Sequence, residues 1–150
     1  MAFNEKNVMV SLANFSLILV YFAFRVVQMV STETFTEPNV FRLWIIVILL
    51  AVLVTVFATI LTHILIAILE AIRTQEEPDV DGVEDERDEL INLQGTRATY
   101  VVYSIGVLAA MLTFYFGHPP LVMFTLLVFF GIFSQIIGDL RRLRLYRRGL

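Results

Sequence analysis

Residues Leu43–Leu69, LWIIVILLAVLVTVFATILTHILIAIL, run for 27 positions without one Asp, Glu, Lys or Arg. A helix needs about 20 apolar residues to cross the hydrocarbon core of a bilayer. Lipid offers no partner to a bare N–H or C=O, so a run of this length has to be helical. Three further runs have the same character, at about Val8–Val30, Ala98–Gly117 and Pro120–Gly138. Together they predict an all-α integral membrane protein, a single four-helix transmembrane bundle over residues 1–150. A chain that is 58% hydrophobic fits no soluble acidic domain, despite its formal charge of −3.

The connections set the orientation. With four spans, the N-terminus, the 71–97 connection and the C-terminal tail share one side. They carry Lys6, Arg73, Arg87, Arg97, Arg141, Arg142, Arg144, Arg147 and Arg148. The other side has Arg42, with Arg25 inside the first span nearer to it. The excess of Lys and Arg on cytoplasmic loops therefore predicts both termini in the cytoplasm. The first run contains Arg25, exceeds the apolar core of a signal peptide and has no small-residue cleavage site, so it reads as a retained span.

Proline and glycine mark the turns. Thr36-Glu37-Pro38-Asn39 ends the first connection, and Gly117-His118-Pro119-Pro120 forms the third. The two hairpins share a coarse layout, with Glu70…Arg73 and Asp139…Arg141 closing their second spans. In the middle connection, Asp81 and Glu84 have the spacing of a carboxylate capping box, opening a helix from Glu84 to Phe116. Gly95 is the expected weak point of that helix, where a bend would fall.

Each span carries a polar or small-residue stripe at three- and four-residue spacing, which keeps it on one helix face. The stripes begin with Ser11 and Asn14 in the first span and Thr55 and His63 in the second. They continue with Thr99 and Tyr103 in the third and Gly131, Gln135 and Gly138 in the fourth, with Asp139 beside them. Counting from mid-span places Asn14, His63, Tyr103 and Gln135 in the cytoplasmic half, with Asp139 at its edge, as an intramembrane polar cluster. An ionisable residue inside a membrane is a candidate ion or proton site, and His63 titrates near neutrality. The competing reading is interhelical hydrogen bonding, at about 0.6 kcal/mol per contact. Arg25 is expected to snorkel outward or to bond Tyr21 or Gln28.

Several chemistries find no residues. The chain has no cysteine, which removes disulfides, thiol catalysis and thiolate metal sites. His63 and His118, the two histidines, fall at different depths, so no metal or haem is expected between them. Asp79, Asp81 and Gly82 lack the remaining ligands of a calcium loop. Phosphate loops and nucleophile elbows are missing as well. The expectation is a protein that is not an enzyme and needs no cofactor.

The cytoplasmic side pairs an acidic connection with an arginine tail. Asp85, Glu86, Arg87, Asp88 and Glu89, followed by Arg97, form a candidate docking segment. Arg141, Arg142, Arg144, Arg147 and Arg148 are assigned to contact with lipid or with the acidic connection. So many carboxylates beside so short a tail argue against nucleic acid as a partner.

Asp85-Glu86-Arg87-Asp88-Glu89-Leu90-Ile91, then Arg97 and Tyr100 leading into a span, resembles the Asp-Glu-Arg-Asp segment of small uncharacterised four-span prokaryotic membrane proteins. The resemblance covers about sixteen residues. It implies a prokaryotic source and a four-helix fold, and it brings no catalytic residues with it.

The leading expectation is a non-enzymatic accessory or regulatory membrane subunit. Its partners would be membrane lipids and another membrane or cytoplasmic protein, or a second copy of itself. The alternative is a small homo-oligomeric channel or transporter with a polar path near His63.

Overall fold

The computed structural model describes residues 3–74 and 86–148, without the side chains of 3–4, 58–59, 61–63, 65–67 and 69–74. Its elements are α1 (Phe3–Ser31), α2 (Glu37–Thr74), α3 (Glu86–Tyr115) and α4 (Pro120–Arg148). Each helix is long and apolar enough to cross a membrane, and no strand occurs among the described residues. The chain is an all-α, multi-pass membrane protein. The capping box at Asp81 and Glu84 lies outside the described residues.

Both described connections close the preceding helix in the same way. After α1, Thr34 N–H donates to Met29 C=O at 2.9 Å and Glu33 N–H to Val30 C=O at 3.3 Å. After α3, His118 N–H donates to Thr113 C=O at 3.1 Å and Gly117 N–H to Phe114 C=O at 3.0 Å. This is the Schellman pattern, which satisfies terminal carbonyls by turning one residue into the left-handed region. Gly117 takes that role with φ 85°, and Glu33 takes it with φ 55°. Pro120 then opens α4, where its missing N–H costs nothing.

The helices pack in the order α3–α4–α1–α2, with a small contact of α2 on α4. Near the two turns, Ile18, Phe22 and Met29 of α1 meet Val40, Leu43 and Val47 of α2 and Ile132 of α4 in one buried cluster. Beyond Val47, no described residue of α2 is buried. Ile48, Leu49, Leu50, Val52, Leu53, Val56 and Phe57 are exposed over a broad arc, while Ala51 and Val54 on the remaining side are half-buried. A helix apolar all round is suited to lipid or to another helix.

α3 lies chiefly on α4 through small residues. Gly95, Gly106 and Ala110 are buried on α3, and Phe130 of α4 lies against Gly106 where a Cβ would otherwise stand. A methyl group on Gly138 would overlap Thr99 Oγ1 and stand 3.1 Å from the Gly95 carbonyl oxygen, so the two backbones approach closely here. α3 runs as unbroken helix through Gly95, whose bare Cα leaves room for the Arg142 side chain, which a Cβ would displace.

The Arg147–Glu5 ion pair, at 3.3 Å, ties the start of α1 to the end of α4. The two termini of the chain therefore share one end of the fold, and the two short turns share the other.

Candidate functional site

Asp139 is the most deeply buried carboxylate among the described residues, at 2% exposure. Gln135, Asp139 and Arg142 are spaced four and three residues apart, so one face of α4 carries all three. Arg142 Nη1 donates to Asp139 Oδ1 at 2.7 Å, and Gln135 Nε2 reaches the same oxygen at 3.3 Å. From α1, Ser11 Oγ donates to Oδ2 at 2.6 Å. Arg142 Nη2 continues to Thr96 Oγ1 of α3 at 3.1 Å, with its stem lying across Gly95. One ion pair thus joins α1, α3 and α4. Hydrogen bonds to ionised groups are roughly twice as strong as neutral ones, and these compensate part of the large cost of burying both charges. Arg142 Nε is buried without a partner among the described residues.

Beside the pair opens a pocket of about 250 Å³. Its polar lining is Asn7, Ser11, Asn14, Thr55, Asn92, Gln135, Asp139 and Arg142, with Val8, Phe15 and Val54 on the apolar side. Residues of all four helices line it, with Val54 and Thr55 contributed by α2. At about 30 Å³ of liquid volume per water molecule, it has room for several waters or one small polar solute.

Of the expected cluster, the structure brings together Asn14, Gln135 and Asp139. Tyr103 lines a different groove, of about 380 Å³, with Phe15, Val47, Val128 and Ile132. It is 40% exposed, and a Cβ on Gly131 of α4 would stand 3.9 Å from its ring. The His63 side chain lies outside the described residues. Ser11 and Arg142 are the additions. Ser11 belongs to the α1 stripe, and the three-residue spacing of Asp139 and Arg142 was visible in the sequence. From its place in the arginine tail, Arg142 is expected to contact lipid or the acidic connection, and the structure corrects this. It turns inward because Asp139 lies one turn before it and Gly95 offers the space.

The remaining tail arginines take separate partners. Arg141 Nη2 donates to Gln94 Oε1 at 3.0 Å. Arg147 pairs with buried Glu5 and reaches Met9 Sδ at 3.6 Å. Arg144 and Arg148 are exposed. In the docking segment Glu86, Arg87, Glu89 and Arg97 are exposed, Asp88 is half-buried beside Tyr146, and Asp85 lies outside the described residues. The tail and the start of α3 therefore meet through Tyr146, Gln94 and Thr96, leaving much of their charge facing outward.

No protein-family model, curated protein or solved structure shows significant similarity to this chain.

Proposed function

We propose that this protein is a non-enzymatic accessory or regulatory subunit of a prokaryotic cytoplasmic membrane, docking a partner protein at its terminal end. The observation that carries this reading is the division of labour between charges at that end. Asp139 and Arg142 satisfy each other inside, with Ser11, Gln135 and Thr96 as further partners. Glu86, Arg87, Glu89, Arg97, Arg144 and Arg148 face outward from helices held against one another. A rigid surface of mixed charge suits a protein partner, since it adds register and steering at little ordering cost. The arginine-rich end lies in the cytoplasm by the charge bias of the loops, and the Asp-Glu-Arg-Asp resemblance supports the prokaryotic assignment.

The test is affinity extraction in native lipid, comparing wild type with a Glu86→Gln/Glu89→Gln/Arg144→Gln/Arg148→Gln variant. A stoichiometric foreign subunit that is lost with these exposed charges supports docking. Recovery of the same partner in the same yield from the variant refutes it.

A second reading, a small homo-oligomeric channel or transporter, draws on the polar pocket beside Asp139. Its test is flux into proteoliposomes with Asn14→Leu and His63→Leu variants. If flux is unchanged in both, or if wild type shows no flux, the pocket is not a path.

A further inference from the structure

At the end opposite the termini, a second polar recess of about 260 Å³ lies between α1 and α2. Two arginines line it, Arg25 from α1 and Arg42 from α2, with Gln28, Tyr21, Thr34 and Asn39 around them. No lining residue is a carboxylate. Arg25 Nη1 donates to Gln28 Oε1 at 2.7 Å, while its Nε is buried without a partner among the described residues. The Asn39 amide donates to the Thr34 carbonyl at 3.1 Å, fixing the wall formed by the turn. Arg25 precedes the end of α1 by six residues and Arg42 follows the start of α2 by five. At about 1.5 Å per residue, both sit some two turns or less below the turns. In a spanning helix that is the level where headgroups meet the hydrocarbon core.

We propose that this recess binds a phosphate group through Arg25 and Arg42. Two guanidiniums facing one space repel each other, and an anion between them reverses the sign of that interaction. Guanidinium forks match phosphate oxygens in geometry and do not lose their charge on burial. Gln28 and Tyr21 supply polar groups that turn a charged gap into a shaped one. The phosphate has two sources at this depth, the headgroup of an anionic phospholipid or a free phosphate from the aqueous side. The site is separate from the Asp139 pocket and does not depend on the proposed partner docking.

The experiment is native mass spectrometry of the full chain released from nanodiscs of phosphatidylcholine containing phosphatidylglycerol. Inorganic phosphate is titrated in parallel into detergent-solubilised protein. The variants are Arg25→Gln, Arg42→Gln and the opposite-end control Lys6→Gln, which replaces an exposed side chain. Losing a hydrogen-bonded charge from such a site should weaken retention about tenfold or more.

Retained phosphatidylglycerol that is lost in R25Q and R42Q but kept in K6Q supports the site with a lipid source. Saturable binding of inorganic phosphate with the same variant pattern supports it with a free source. Retention unchanged in R42Q, equal loss in K6Q, or neither phosphatidylglycerol nor inorganic phosphate bound to wild type overturns it. R42Q replaces an exposed side chain, so it carries the test if R25Q does not fold.

Discussion

The Arg142 guanidinium and the Asp139 carboxylate, one turn apart on α4, meet at 2.7 Å with the pair enclosed against α1 and α3. Their side chains are 15% and 3% exposed, so both charges are largely withdrawn from bulk water. Removing one member strands the other, which costs about 3–5 kcal/mol for buried pairs. Asp139→Leu and Arg142→Gln are each expected to lower stability by an amount of that order. The double variant Asp139→Leu/Arg142→Met should recover most of the loss, because apolar replacement of both charges is often neutral. Equilibrium unfolding in mixed micelles checks this. Additive losses in the double variant would show that the pair is not one unit.

Gly138→Ala tests the α3–α4 contact. The added methyl would overlap Thr99 Oγ1 and press on the Gly95 carbonyl. Overpacking of this kind costs about 1–3 kcal/mol. Thr99→Ala in the same chain removes the first overlap and leaves the second, so it should restore part of the stability. Unfolding midpoints of the three variants decide it, and an unchanged midpoint for Gly138→Ala would refute the close approach.

The four spans were legible because length and apolarity decide whether a segment crosses a bilayer, and the turns because proline and glycine act locally. Which apolar faces meet is a different question. Between helices in lipid there is no hydrophobic driving force to mark the packed side, so the wide exposure of α2 beyond Val47 left no trace in its composition. The site was legible in part. Asn14, Gln135 and Asp139 sit on polar stripes, and those stripes do converge. Arg142 was not legible as an interior residue, because its direction depends on the absence of a side chain at Gly95 on another helix. Tyr103 shares a face of α3 with the buried Gly106, yet it lines a separate groove, because spacing along one helix does not say which neighbouring groove a side chain enters.

Glu33 closes α1 with φ 55°, a conformation that an L-residue adopts at a cost of about 1–2 kcal/mol. Gly117 fills the equivalent position after α3 without that strain. Glu33→Gly is therefore expected to stabilise the protein, by about 0.5 kcal/mol after the greater freedom of glycine in the unfolded chain is subtracted. Glu33→Val should destabilise it, since a β-branched side chain fits this region worst. Thermal unfolding in one lipid mixture compares them. If Glu33→Gly is less stable than wild type, an interaction of the glutamate side chain outweighs the backbone strain.

The proposed orientation makes a prediction that the absence of cysteine renders simple to test. His118 lies in the α3–α4 turn and Arg148 at the far end of α4, and both are exposed. A single cysteine at either site is the sole thiol in the chain. In spheroplasts, His118→Cys should react with a membrane-impermeant maleimide, and Arg148→Cys only after permeabilisation. The reverse pattern would place the arginine tail outside and remove the cytoplasmic docking surface. Labelling of both sites in intact spheroplasts would mean that α4 does not span the membrane at all. The expected pattern also places the Arg25–Arg42 recess toward the outer leaflet, which decides the face from which phosphate must be added.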